Sequence, residues 1–255
     1  MKKEEINKLK KAGKAVYSTL KKALDIVEPG MKIIDICNKL EENIIKEGAI
    51  PAFPVNISIN WIAAHYTSPL FDNSLIPRNS LVKIDVGAHV DGYIADAAIT
   101  INFNPEYEKL TQITLKALKT AIAKFRPNTN LSTIGNMISS VIKSSGYVPI
   151  SNLTGHKITR YNLHAGKNVP NVPSFMLGKI EKNEVYAIEP FATDGKGWVI
   201  EGPPGYIYRL RSTRQIKNNK KLNNILRLLW INFKSLPFSE RWLPKIIETD
   251  EHKTK

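Results

Sequence analysis

Two aspartates, Asp85 and Asp96, stand inside the apolar, β-rich stretch "VKIDVGAHVDGYIADAAITINF". Strand interiors disfavour Asp, and a buried carboxylate is costly unless it is paired or bound to a cation. Val82, Ile84 and Val86 alternate with Lys83, Asp85 and Gly87, which predicts a strand, and Tyr93 to Phe103 predicts its return partner. If His89 to Gly92 makes a four-residue loop, Asp85 and Asp96 lie directly opposite each other. Their Cβ atoms would then be about 4.5–5.5 Å apart. Either one carboxyl stays protonated, a metal sits between them, or each pairs with Lys or Arg elsewhere.

Further chemistry-bearing residues lie outside the hairpin. "LTGHKITRYNLHAGK" contains His156 and His164, "YAIEPFA" places Glu189 in an apolar run, and "NWIAAHYTSP" contributes His65. One such residue on a strand is usually structural. Two Asp, one His and one Glu together make an oxygen-and-nitrogen ligand set suited to Mn, Fe, Co or Zn. A pair of such ions polarises a carbonyl and activates water. His89, next to the expected loop, reads as a solvated loop residue. Glycines in "DGKGWVIEG" match neither the dinucleotide nor the phosphate-loop pattern, which argues against a nucleotide cofactor.

The elements that must carry these residues can be sketched from periodicity. Residues 4–27 read as an amphipathic helix with Ile6, Leu9, Val16, Leu20, Leu24 and Val27 on one stripe, stopped by Pro29-Gly30. Residues 32–47 read as a second helix on which Cys37 is a small core residue. Asn104-Pro105-Glu106 is a helix start, with a capping residue, proline at the first position and an acid in the first turn. That helix runs to about Phe125, and another spans about Leu131 to Ser144. Short Gly- and Pro-rich strands fill 147–201. The order of helices, strands, helices, strands suggests an α+β layout of two similar halves around one sheet.

Composition narrows the class. The chain of 255 residues carries 37 Lys and Arg against 23 Asp and Glu, a formal net charge of +14. Much of the excess is terminal: residues 1–24 hold eight Lys and two Glu, and residues 209–255 hold twelve basic and four acidic residues. Basic ends fit either a lysine-rich solvated surface or an anionic partner such as RNA or a ribosome. A single cysteine makes no intrachain disulfide. No apolar run approaches the ~20 residues that span a bilayer, and the N-terminus lacks a signal-peptide core. The expectation is a cytoplasmic protein with no membrane contact.

The segments "PAFPVNISINWIAAHYTSP", "VKIDVGAHVDGYIADAAITINF", "LTGHKITRYNLHAGKNVPN" and "YAIEPFATDGKG", in this order, resemble a type II methionine aminopeptidase of the archaeal kind. A looser similarity continues through "LNNILRLLWINFKSLPFSERWL", so the resemblance covers residues 1 to about 243. It implies the pita-bread fold, here incomplete at the C-terminus. Residues 1–206 would form the catalytic domain, and 207–255 the start of a helical, winged-helix-like insert with a polar tail. It also implies Asp85, Asp96, His156 and Glu189 as ligands of two divalent metal ions (Co, Mn, Fe or Zn). Glu189 would handle the proton of the attacking water, His65 and His164 would contact the substrate, and Phe53 would wall the methionine side-chain pocket unless it is plain core. The implied substrates are nascent polypeptide N-termini.

The family pattern has a further Glu ligand in an apolar-x-Glu-His-Thr strand. Glu251-His252 echoes it only superficially, in polar sequence. Two expectations follow: a second polypeptide supplies the missing segment as a complementing C-terminal fragment, or the chain has little activity. Two other readings share these residues: an Xaa-Pro dipeptidase, and a non-catalytic pita-bread module that binds RNA or the ribosome through its basic ends.

Overall fold

The computed structural model describes residues 1–175 and 178–253, with side chains through Glu248. Helix α1 (Lys3–Ile26) buries Ala12, Ala15, Val16, Thr19, Leu20 and Ala23, one stripe at helical spacing. Leu24, expected on that stripe, is exposed, and Ala23 takes the inward position. Helix α2 (Ile33–Lys46) buries Ile33, Ile36, Cys37, Leu40 and Ile44, as its periodicity predicts. Both helices pack on a sheet of β1 (Ile50–Pro51), β2 (Asn56–Ile59), β3 (Leu81–Val90) and β4 (Tyr93–Asn102). Central β3 pairs with β1 and β2 along one side and with β4 along the other, all antiparallel.

A second set of elements follows. Asn104 accepts a hydrogen bond from Glu106 N and caps a 3-10 turn (Pro105–Tyr107) that leads into α3 (Glu108–Lys124). Asn130 likewise caps α4 (Leu131–Lys143) through Ser132 N. Strand β5 (Val148–Pro149) pairs with β9 (Ala192–Thr193), while β6 (Thr154–Ile158) lies between β7 (Asn168–Pro170) and β8 (Val185–Ala187). Leu131, Ile134, Ile138 and Ile142 of α4 pack with Ala117 and Ala121 of α3 over these strands. The ladders of the two halves are separate, not one continuous sheet, and they come together where β4 touches β8. A third cluster joins the halves there: Ala52, Phe53, Ile94, Ile158, Leu163, Ala187 and Leu236.

Leu236 comes from the C-terminal part of the chain. Strand β10 (Ile207–Tyr208) pairs with β11 (Phe238–Ser239) across helix α5 (Lys220–Phe233), and a 3-10 turn (Glu240–Trp242) precedes α6 (Leu243–Lys253). The 3-10 turn docks on α2: Arg241 and Trp242 both donate to Glu41. Among the described residues no helix is long and apolar enough to cross a membrane.

Candidate metal centre

The β3–β4 hairpin is closed by a two-residue turn, Asp91-Gly92, with φ of 51° and 80°. Two consecutive left-handed residues continue the strand twist, and Asp-Gly is the pair best suited to them. The strands therefore extend to Val90 and Tyr93, and the register differs from the expected one. Asp85 faces Ala98, and Asp96 faces Gly87. The two aspartates share a face but lie diagonally, where Cα separations are about 7–8 Å, not directly opposite. His89, expected in a solvated loop, is in β3 and 4 % exposed. Its Nδ1 accepts from Gly92 N at 3.1 Å, and its ring packs against Tyr161.

The opposite wall comes from β6 and β8. Gly155 lets these strands close up, since a Cβ there would lie 2.3 Å from Ala187 O and 3.1 Å from Glu189 N. His156, paired with Ala187, and Glu189, two residues past the end of β8, then face the hairpin. His156 Nε2 lies 3.4 Å from Asp96 Oδ2 and 3.2 Å from Glu189 Oε1. Among the described residues, Asp96, His156 and Glu189 form a group whose ligand atoms all fall within 4.8 Å of one another. Glu189 Oε1 is buried and has no hydrogen-bond partner among the described residues. Its approach to His156 is close but not aligned as a hydrogen bond, the arrangement of donors converging on a common point.

The charges say the same. Burial first, then Asp96 and Glu189, push the Asp85 carboxyl well above the usual carboxylate range, with Asn56 Nδ2 opposing at 3.2 Å. Burial also raises Glu189. Burial alone would lower His156, but the Asp96 and Glu189 carboxylates more than offset it and bring its pKa to about 10. Three carboxylates thus lie around one imidazole in a largely buried site, a surplus of negative charge that a divalent cation neutralises. The donor set, its convergence and the orphaned carboxylate oxygen fit such an ion.

Histidines 65 and 164 lie at the mouth of this cluster, both exposed. The His164 ring sits 4.2 Å from that of His156. Burial of its inner side, then His156 and His65, push its pKa down to about 4. The His65 charge also acts on the Glu189 carboxyl, on the same side of the cluster. Phe53 is 4 % exposed, and its ring lies over Gly87 on the aspartates' side of the sheet. Asn56 belongs to the quoted "PVNISIN" text but did not stand out in the sequence; a polar residue in an apolar strand was its only signal. Cys37 is buried against Val55 and Thr67 with its thiol pushed up to about 11 by burial, an inert core residue. Glu251 has its side chain outside the described ones.

A model of metallopeptidase family M24 matches residues 7–218. The chain is 44% identical over 243 residues to a methionine aminopeptidase of Saccharolobus solfataricus, covering 95% of this chain and 81% of the relative. It is 43% identical over 242 residues to one from Methanocaldococcus jannaschii, covering 95% and 82%. Its structure resembles the crystal structure of a methionine aminopeptidase from Thermotoga maritima, with a TM-score of 0.74, 27% identity, and coverage of 80% of this chain and 85% of that one.

Proposed function

Because the chain belongs to metallopeptidase family M24, we propose that it is an aminopeptidase that removes the N-terminal methionine from newly made proteins. The observation that carries this reading is the cluster of Asp96, His156 and Glu189 with the orphaned Glu189 Oε1, set in a chain 44% identical to a methionine aminopeptidase. Asp85, Asp96, His156 and Glu189 hold two divalent ions in this reading. Bound there, divalent metal supplies Lewis-acid polarisation of the scissile carbonyl and a more acidic water.

The protein's own groups do the rest. Glu189 accepts the proton released by the attacking water and returns it to the leaving amine, a role suited to a carboxylate whose pKa burial has raised. His164, with a pKa near 4, is neutral at pH 7 and offers one N–H. It and His65 donate to the scissile amide and to the oxyanion that develops on it. Phe53 walls an apolar pocket in which the thioether of methionine packs against an aromatic ring.

The test is hydrolysis of Met-Ala-Ser by protein loaded with Mn, Fe or Co, beside Ala-Pro peptides and the Glu189→Gln variant. Metal-dependent release of methionine, lost in the variant, supports the reading. A folded, metal-loaded protein that releases none overturns it, and turnover of Ala-Pro alone would favour a dipeptidase. The relatives run beyond the portion matched here. The assay is therefore also run with that remaining stretch added as a separate polypeptide. The basic ends support a ribosome as partner, placing the site near emerging N-termini. Co-sedimentation with ribosomes that weakens steeply with salt tests this.

A further inference from the structure

His65 holds a backbone conformation that a non-glycine residue rarely adopts, φ 64°. Such a conformation persists only where its surroundings over-determine it. The residues after it are fixed on several sides. Tyr66 O accepts from Ile57 N at 2.8 Å, Thr67 N donates to Gly205 O at 3.2 Å, and Thr67 Oγ1 donates to Val55 O at 2.8 Å. Gly205 presses on His65 itself, since a Cβ there would lie 2.0 Å from His65 O.

One side chain grips this loop from behind. The Arg241 side chain is 3% exposed and spends five hydrogen bonds, as many as a guanidinium has N–H groups. Three go to α2: Nη1 to Asn38 Oδ1 and to Glu41 Oε2, and Nη2 to Glu41 Oε1. The other two go to the loop: Nε to Ser68 O at 2.7 Å and Nη2 to Thr67 Oγ1 at 3.1 Å. Thr67 and Ser68 are fully buried with Arg241 in place. The planar fork ties a rigid helix to the loop carrying His65. Lysine, with a compact ammonium, cannot reach both sides.

We propose that Arg241 is a positioning residue for His65: by clamping Thr67 and Ser68 to α2 it holds the His65 ring in place over the metal-ligand cluster. This rests on the reading of His65 as a donor to the substrate. It gives residues 236–242 a task in the site although none of them reaches the reacting atoms.

The experiment has two arms. In the first, kcat and KM on Met-Ala-Ser are measured for wild type, Arg241→Lys, His65→Ala and the double variant. Arg241→Lys should lower kcat about 10- to 100-fold, the cost of a misplacement near 1 Å. It should cost nothing further in the His65→Ala background. Equal losses in both backgrounds would overturn the proposal, because a merely structural role lowers activity whether or not His65 is present. In the second arm, amide exchange is followed in metal-free protein. Arg241→Lys should speed exchange at Thr67 N at least about tenfold while the slowest β3 amides hold their rates. Unchanged protection at Thr67 would overturn the proposal. If Arg241→Lys does not fold, Arg241→Gln, which leaves the Thr67 hydroxyl and its bond to Val55 O in place, is used under the same criteria. A wild type without turnover, or His65→Ala without effect, overturns the proposed function instead, and the exchange arm then decides the clamp by itself.

Discussion

Glu189 Oε1 stands 3.2 Å from His156 Nε2 and is not hydrogen-bonded to it, nor to any other described group. The two groups lie at ion-pair distance without the alignment of a hydrogen bond. Asp85 lies outside the converging group of Asp96, His156 and Glu189 but feels it: burial, then the Asp96 and Glu189 charges, push its carboxyl up when no cation is present. Stability and function should therefore pull in opposite directions at this point.

Asp85→Asn tests that opposition. The change keeps shape and removes a carboxyl whose charged form burial, then Asp96 and Glu189, disfavour. Metal-free protein should gain about 1 kcal/mol in denaturant unfolding. Calorimetric affinity for Mn should fall at least about tenfold, the low end of what even an outer partner of a ligand costs. A variant that loses stability without metal would mean that the Asn56 hydrogen bond to Asp85, 3.2 Å, outweighs the repulsion.

Gly87→Ala tests the packing behind the aspartates. A Cβ at this position would come within 2.1 Å of the Phe53 ring. The ring must move, because the sheet cannot: β3 is held on both sides. The cost should be about 1–3 kcal/mol, typical of overpacking a close-packed site. If Phe53 walls the methionine pocket, KM for Met-Ala-Ser should rise more than kcat falls. Equal KM for wild type and variant would leave Phe53 as core alone.

The hairpin illustrates what could be read from sequence and what could not. Alternation of Val82, Ile84 and Val86 predicts β3, and the same face carries Asp85 in any register that keeps the pleat. Register itself was not legible, because "HVDG" accommodates a four-residue loop as well as an Asp-Gly turn. The turn won through the paired left-handed residues, and His89 went from loop to core as a result. Arg241 gave no local signal either. It meets Glu41 across 200 positions, and Glu41 on an amphipathic helix reads as a surface acid until its partner is placed. Asp85, Asp96 and Glu189 stood out because a charge in an apolar strand is conspicuous without a partner in view, and the structure brings Asp96 and Glu189 together with His156.

His89 supplies a pH test in metal-free protein. Burial pushes its pKa down to about 4, below the ~6.5 of an unfolded histidine. The folded state therefore prefers the neutral ring, whose Nδ1 accepts from Gly92 N. This contribution is complete above pH 6.5 and is lost as pH falls towards 4. His89→Gln should flatten the pH dependence of unfolding within that window relative to wild type and leave the curve parallel above it. Parallel curves throughout would mean that the ring titrates alike in both states.

Glu41→Ala tests the clamp's anchor. Glu41 accepts both guanidinium branches of Arg241, at 2.8 and 2.9 Å, together with Trp242 Nε1 and Val55 N. Removing it leaves a buried guanidinium with no counter-charge, which costs about 3–5 kcal/mol. Adding Arg241→Met should restore part of that loss, because the stranded charge goes with it and the methionine fills the space. Unfolding in urea of wild type, both single variants and the double variant gives the coupling directly. A Glu41→Ala loss below about 1 kcal/mol would mean that water reaches the guanidinium. Additive losses in the double variant would mean that the two side chains act separately, and Glu41 would then not be the anchor from which Arg241 holds Thr67 and Ser68.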